Sequence, residues 1–223
     1  MQKIVRQNES ESRNKRYSAT IDKNICEQLE KEVRRINMTV EEKIYEEVKG
    51  RCELPSNAYG IGAWDHHIKI VYELAKKNAS EYGANQEIVS LAALLHDVAS
   101  VTDVTYTEEH HIIGAKIAEE LLLQENYPIE KIEQIKKCIL NHRGSRLASK
   151  NSPEEICIAD SDAMAHFYSI PSLLSMVYRE KNLSIDEGSK FVMEKLERSY
   201  NKMSTKGKKL VKKQYESAKN ILK

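Results

Sequence analysis

Interruptions are scarce in this sequence. Its 223 residues include eight Gly and four Pro, the profile of a soluble, mostly helical protein. The four cysteines, Cys26, Cys52, Cys138 and Cys157, form no CxxC pair. That excludes a zinc-ribbon signature and suits reduced thiols in a cytoplasmic protein. No apolar run approaches the ~20 residues that span a bilayer, and the opening stretch MQKIVRQNESESRNKRYS lacks the apolar core of a secretory signal. An excess charge of either sign is missing too. Against 35 basic residues stand 34 acidic ones, so nothing electrostatic points to nucleic acid or a membrane as partner. Phe occurs twice and Trp once. The more numerous tyrosines, among them Tyr72, Tyr82, Tyr106, Tyr127, Tyr168 and Tyr178, are scattered without a stacking pattern and suit amphipathic positions at the core's edge.

What is present is helix after helix. Ile25, Leu29, Val33 and Ile36 recur at helical spacing, with Thr20 or Asp22 to cap them. In TVEEKIYEEVKG, Thr39 and Glu42 form a capping box and Gly50 is the expected stop. RCELPSNAYGIGAW reads as a loop. Helical segments follow at DHHIKIVYELAKKNASEYG, NQEIVSLAALLHDVAS and TEEHHIIGAKIAEELLLQEN, the last starting at a Thr107 capping box. PIEKIEQIKKCILNHRG ends at Gly144, and SPEEICIADSDAMAHFYSI starts with Ser152 as cap and Pro153 at its first position. SIDEGSKFVMEKLERSYNKM and TKGKKLVKKQYESAKNILK close the chain. No segment alternates with period two between hairpin turns, so the expected class is all-α. Residues 1–18 form a polar tail and 19–55 an N-terminal helical extension ahead of the main domain at 56–223.

The chemistry sits on the inward stripes of these helices. His67 shares a face with Val71 and Leu74, and His96 and Asp97 end the apolar run SLAALL. His110 shares a face with Gly114, His142 follows Ile135 and Ile139, and Asp162 follows Ile158 by one turn. A single inward His is ordinarily a hydrogen-bonded core residue. Buried carboxylates are costlier and need partners, and few Lys or Arg lie on these faces. A divalent cation satisfies the set together. His and Asp without thiolate suit Mn, Fe, Co, Ni or Zn, with Mg also possible, as one or two ions.

The ordered stretches HHIKIV, LAALLHDVAS, HHIIGAKIAEELL, CILNH and IADSDAMAH resemble the HD superfamily of metal-dependent phosphohydrolases over residues 64–168. The resemblance implies an HD-type helical bundle whose C-terminal helices occupy 172–222. It implies His67, His96, Asp97 and Asp162 as core metal ligands, His110 and His142 as the added ligands of binuclear members, and Asp97 as the bridge. His66 or His67, His110 or His111, and Asp160 or Asp162 remain alternatives for three ligands, with Asp160 otherwise in a supporting role. Ala99 stands where the family pattern has Gly, and Ala163 where a basic residue often follows.

Two adjacent divalent ions suit hydrolysis of a phosphate mono- or diester, a nucleotide or a related small molecule. His96 and Asp97 are then the catalytic centre. Arg143 is the candidate for holding phosphate oxygens, followed by Arg146 and Lys150, although basic residues after a helix also suit its dipole. Asp103, Glu108 and Glu109 are candidate proton donors or helix-start acids. Lone Trp64 is expected to pack beside the ligand helix. Two rival readings remain: an HD-type diiron oxygenase and a non-catalytic, metal-stabilised interaction module. Self-association through the terminal helices is a further expectation.

Overall fold

The structure is a computed structural model, which describes residues 25–26, 28–30, 32–60, 62–143 and 152–222. Residues 1–18, Thr20, Asp22, Gly144, Arg146 and Lys150 lie outside them. The chain divides into two compact units, residues 1–43 and 44–223. In the first, residues 25–26, 28–30 and 32–36 are helical, and Ile25, Leu29, Val33 and Ile36 are exposed. Thr39 and Glu42 form the expected capping box, with Thr39 N–H donating to Glu42 and Glu42 N–H to Thr39 Oγ1.

Helix α1 (Val40–Cys52) runs through Gly50, the expected stop, for two more residues. A π-helical turn at Trp64–Ile68 leads into α2 (Lys69–Tyr82). Then come α3 (Gln86–Leu95), α4 (Val98–Thr102), α5 (His110–Gln124) and α6 (Ile129–Asn141). The chain continues through α7 (Pro153–Tyr168), α8 (Ile170–Arg179), α9 (Ile185–Lys202) and α10 (Thr205–Ile221). No strand occurs among the described residues. The fold is an all-α bundle. No helix of the described residues is long and apolar enough to cross a membrane.

Helix α3 is the hub. Every residue from Ile88 to Leu95 is buried, the signature of a helix wrapped on all sides by others. It packs on α2, α6 and α7, while α5 pairs with α4 and α6. Ile68, Leu91, Leu95, Ile135, Ile139, Ile158 and Met164 fill the space between them. Each such side chain contributes about 1.5–3 kcal/mol by leaving water. Trp64 packs as expected, with its ring edge-on to Tyr45 at 4.6 Å.

Further boundaries differ from the sequence expectation. The run NQEIVSLAALLHDVAS is two helices, broken at Asp97, whose backbone (φ −114°, ψ 18°) leaves the helical region. Helix α5 starts at His110 without a side-chain cap, because the Thr107 hydroxyl donates instead to the carbonyl of Val104. Helix α8 falls within the C-terminal helical stretch expected over 172–222 but begins two residues earlier, at Ile170. Ser152 and Pro153 start α7 as expected, the Ser152 hydroxyl accepting from Glu155 N–H.

Asp160 and Asp162 diverge on α7. Asp160 accepts from Tyr82 O–H, from Ser204 N–H and from the Ser204 hydroxyl. It ties the start of α10 to α2 and α7, which replaces the supporting role beside the metal expected for it. Gly207 permits this approach, since a Cβ there would lie 2.5 Å from Asp160 Oδ2.

Candidate metal centre

Five of the six candidate ligands sit where helices begin, end or widen. His67 lies in the π-turn before α2, and a widened turn re-aims side chains relative to a regular helix. His96 and Asp97 occupy the break between α3 and α4, His110 is the first residue of α5, and His142 caps the end of α6. Asp162 alone comes from mid-helix, in α7. Leaving the helical path at Asp97 is what lets two adjacent side chains reach one site.

The six form two trios of mutually close donor atoms: His67, His96 and Asp162; and Asp97, His110 and His142. Asp97 joins them. Its Oδ2 is 3.4 Å from Nε2 of both His67 and His96, while its Oδ1 is 3.4 Å from His110 Nε2 and 3.6 Å from His142 Nε2. Asp162 Oδ1 lies 3.6 Å from His67 Nε2.

Three imidazoles are held in one tautomer. Nδ1–H of His96 donates to the Ala93 carbonyl at 2.8 Å, that of His110 to Thr107 at 2.7 Å, and that of His142 to Ile139 at 2.6 Å. Each bond leaves a lone pair on Nε2, aimed inward. Nε2 of His96 stands 3.2 Å from that of His67, and Nε2 of His110 stands 3.2 Å from that of His142. For His110 and His142, whose tautomers are fixed, the facing lone pairs repel unless a proton or a cation lies between them. Two nitrogens bound at about 2.1 Å to one ion, at angles between perpendicular and tetrahedral, stand roughly 3.0–3.4 Å apart. The donor set therefore fits a divalent ion.

Electrostatics keep the carboxylates charged. Burial opposes ionisation of Asp97, but His96, His142 and His67 hold its carboxyl well below the usual range. Burial likewise opposes ionisation of Asp162, and Lys202, His166 and His67 outweigh it. Lys202 Nζ donates to Asp162 Oδ2 at 3.4 Å. Burial lowers His96, yet the Asp97 carboxylate raises it to about 9. Proton and metal ion compete there for the same lone pair.

A cavity of about 630 Å³ opens over the trios. Arg143 lines it, with Nη1 donating to the Glu108 carbonyl at 3.0 Å. His66 lines it from an exposed position, outside both trios. His111 is also outside them, its ring 5.7 Å from that of His110. Asp103, Glu108 and Glu109 are not part of the lining. Asp103 instead accepts from Thr105 N–H, starting a short 3-10 turn at Val104–Tyr106. Ala99 and Ala163 are fully buried.

Among the lining residues that escaped the sequence reading, four carry polar groups next to the donor trios or in the cavity wall. The Tyr59 hydroxyl donates to Asp97 Oδ2 at 2.9 Å, and burial, then Asp97, pushes its pKa above the normal range. The ring of His166 stacks on that of His67, with centroids 5.8 Å apart, and its Nδ1 lies 3.0 Å from Ser199 Oγ. Lys195 and Lys202 reach the cavity from α9. The usable signals were His166 one turn beyond Asp162 and two lysines seven residues apart. Tyr59 gave none, because its loop is positioned by Asn57, whose side chain donates to Cys52 and Gly60 carbonyls and accepts from Tyr59 N–H.

Comparison with known proteins agrees with this geometry. The family model of the HD domain matches residues 64–166. The chain therefore carries an HD domain, a module of a hydrolase superfamily that binds divalent metals. It is similar to ribonuclease Y of Petrotoga mobilis, 32% identical over 108 residues that make up 48% of this chain and 19% of that protein. It is also similar to ribonuclease Y of Chloroflexus aurantiacus, 39% identical over 64 residues, 29% of this chain and 12% of that protein. The chain thus spans less than a fifth of either relative's length. No solved structure matches it.

Proposed function

We propose that the protein is a metal-dependent phosphohydrolase acting on a phosphate mono- or diester of a small molecule, a nucleotide or a relative of one. The observation that carries this reading is Asp97, whose two oxygens face separate donor trios beneath one cavity with basic residues in its walls. His67, His96 and Asp162, and Asp97, His110 and His142, would hold divalent ions, which would supply an acidified water and positive charge toward a phosphoryl group.

The chain's own groups supply the rest. Carbonyl-bound Nδ1–H groups orient three ligand rings before substrate arrives. Lys202 keeps Asp162 ionised. Arg143, anchored through Glu108, suits the non-bridging oxygens of a bound phosphoryl group. Tyr59, its pKa raised by burial and then by Asp97, offers a hydrogen-bond donor beside Asp97. Leu173 and Met176 give the cavity an apolar wall for the organic part of the substrate.

The test is a panel of phosphate mono- and diesters with added Mn, Co, Ni, Fe, Zn or Mg, with and without oxygen. RNA oligonucleotides belong in it because both relatives are named ribonuclease Y. The balanced charge of the chain favours the small substrates. Oxygen-independent phosphate-ester cleavage, lost in His96→Ala and Asp97→Ala, is the expected result. Turnover that needs oxygen and two irons overturns it in favour of an oxygenase. Undiminished cellular function in Asp97→Ala favours a non-catalytic module.

A further inference from the structure

Lys195 and Lys202 lie two turns apart on α9 and both line the cavity, but their partners differ. Lys202 pairs with Asp162. No carboxylate among the described residues comes within ion-pairing distance of Lys195, Glu180 of the cavity lining included. The nearby carboxylates are already engaged: Asp162 with Lys202 and His67, and Asp97 with four imidazoles and Tyr59.

Two further cations, Lys202 and Arg198, act on Lys195. Lys202 and Arg198 disfavour its charge, Asp162 and Asp97 favour it, and burial outweighs them all, pushing the ammonium below its ordinary range. A half-buried lysine without a counter-ion, facing a cavity, is costly unless an anion joins it there.

Resting on the phosphohydrolase reading, in which the donor trios hold the reacting phosphoryl group, we propose that Lys195 is a specificity-determining residue. It pairs with a second phosphoryl group adjoining the first, so the preferred substrates carry a diphosphate or longer chain. The Lys202–Asp162 pair serves the metal side, and Lys195 serves the substrate.

Binding of two inert probes, methylphosphonate and methylenediphosphonate, tests this by calorimetry on the full chain with Mn2+ present. The proteins compared are wild type, Lys195→Gln and Lys195→Arg. Chelation of Mn2+ by the diphosphonate is common to all three and cancels between them. Lys195→Gln is expected to weaken the diphosphonate roughly tenfold or more, the loss of one charge-assisted contact, with methylphosphonate within about twofold. Lys195→Arg restores most of the difference. An equal loss for both probes, or no loss for either, overturns the proposal while methylphosphonate binding leaves the phosphohydrolase reading standing. If wild type binds neither probe, both readings fall.

Discussion

Helix α7 has two polar faces that look alike in sequence and differ in everything else. Asp160 and Asp162 stand two residues apart, about 200° around the helix, and both are buried. On one face Asp160 meets a tyrosine, a backbone N–H and a serine, all donors with fixed protons. On the other Asp162 meets an imidazole and a lysine at the floor of a cavity. Burial of a carboxylate does not announce chemistry. The kind of partner does: fixed donors make an anchor, while convergent lone pairs and an open cavity make a site.

The largest expected effect breaks this contrast at Asp162. Asp162→Ala should lower turnover by at least about a hundredfold, since removing even the outer partners of metal ligands costs 10–100-fold. Metal content by plasma mass spectrometry should fall with it. Undiminished turnover would erase the distinction between the faces. Asp160→Ala is the mirror experiment. Tyr82 and Ser204 lose their acceptor, so urea denaturation should show a loss of about 2–4 kcal/mol, with metal content unchanged.

Two glycines sharpen the comparison at smaller scale. A Cβ at Gly207 would press on Asp160 at 2.5 Å, so Gly207→Ala should cost about 1–3 kcal/mol. A Cβ at Gly114, behind the metal centre, would meet Ile139, Val98 and Ala99 at 3.5–3.8 Å, ordinary contact distances. Gly114→Ala should therefore be neutral or stabilising, by up to about 1 kcal/mol of helix propensity. Thermal melting of both variants decides.

The smallest effect lies far from both faces. Glu87 accepts from Tyr127 O–H and Lys131 Nζ, and Lys131 first, then Tyr127, lowers its pKa. A lowered carboxyl contributes stability at pH above its unfolded value, and that stability is lost as pH falls through the folded value. Glu87→Gln should remove a few tenths of a kcal/mol at pH 7 and nothing at pH 2, the scale of an exposed pair. A pH series of melting temperatures measures this.

Much of the fold was legible because helices write their period and their caps into local sequence. The Thr39–Glu42 box and the Ser152–Pro153 start are read from four residues or fewer. The six candidate ligands were legible because each departs from an apolar stripe, and the structure brings all six together. The helix end at His96 and Asp97 was legible where the apolar run SLAALL gives out, but the restart of a short helix at Val98 was not, since LAALLHDVAS carries no Gly or Pro to mark it. Helix α8 lies within the helical stretch expected over 172–222 but was not separated from its neighbours there, although Ile170, Leu173, Leu174 and Val177 recur at helical spacing. Choosing between adjacent pairs such as His66 and His67 needed three dimensions, as did finding Tyr59, Lys195 and Lys202. Their positions follow from how α9 and the loop before α2 pack, which no local pattern records.

The carbonyl bonds to His96, His110 and His142 carry a kinetic consequence. Each acceptor lies three residues before its ring, so ring orientation is inherited from the adjoining turn of backbone. Capture of an ion then requires no search through side-chain conformations. The association rate would then depend on arrival of the ion, on how fast it sheds its own hydration water and on release of the His96 proton.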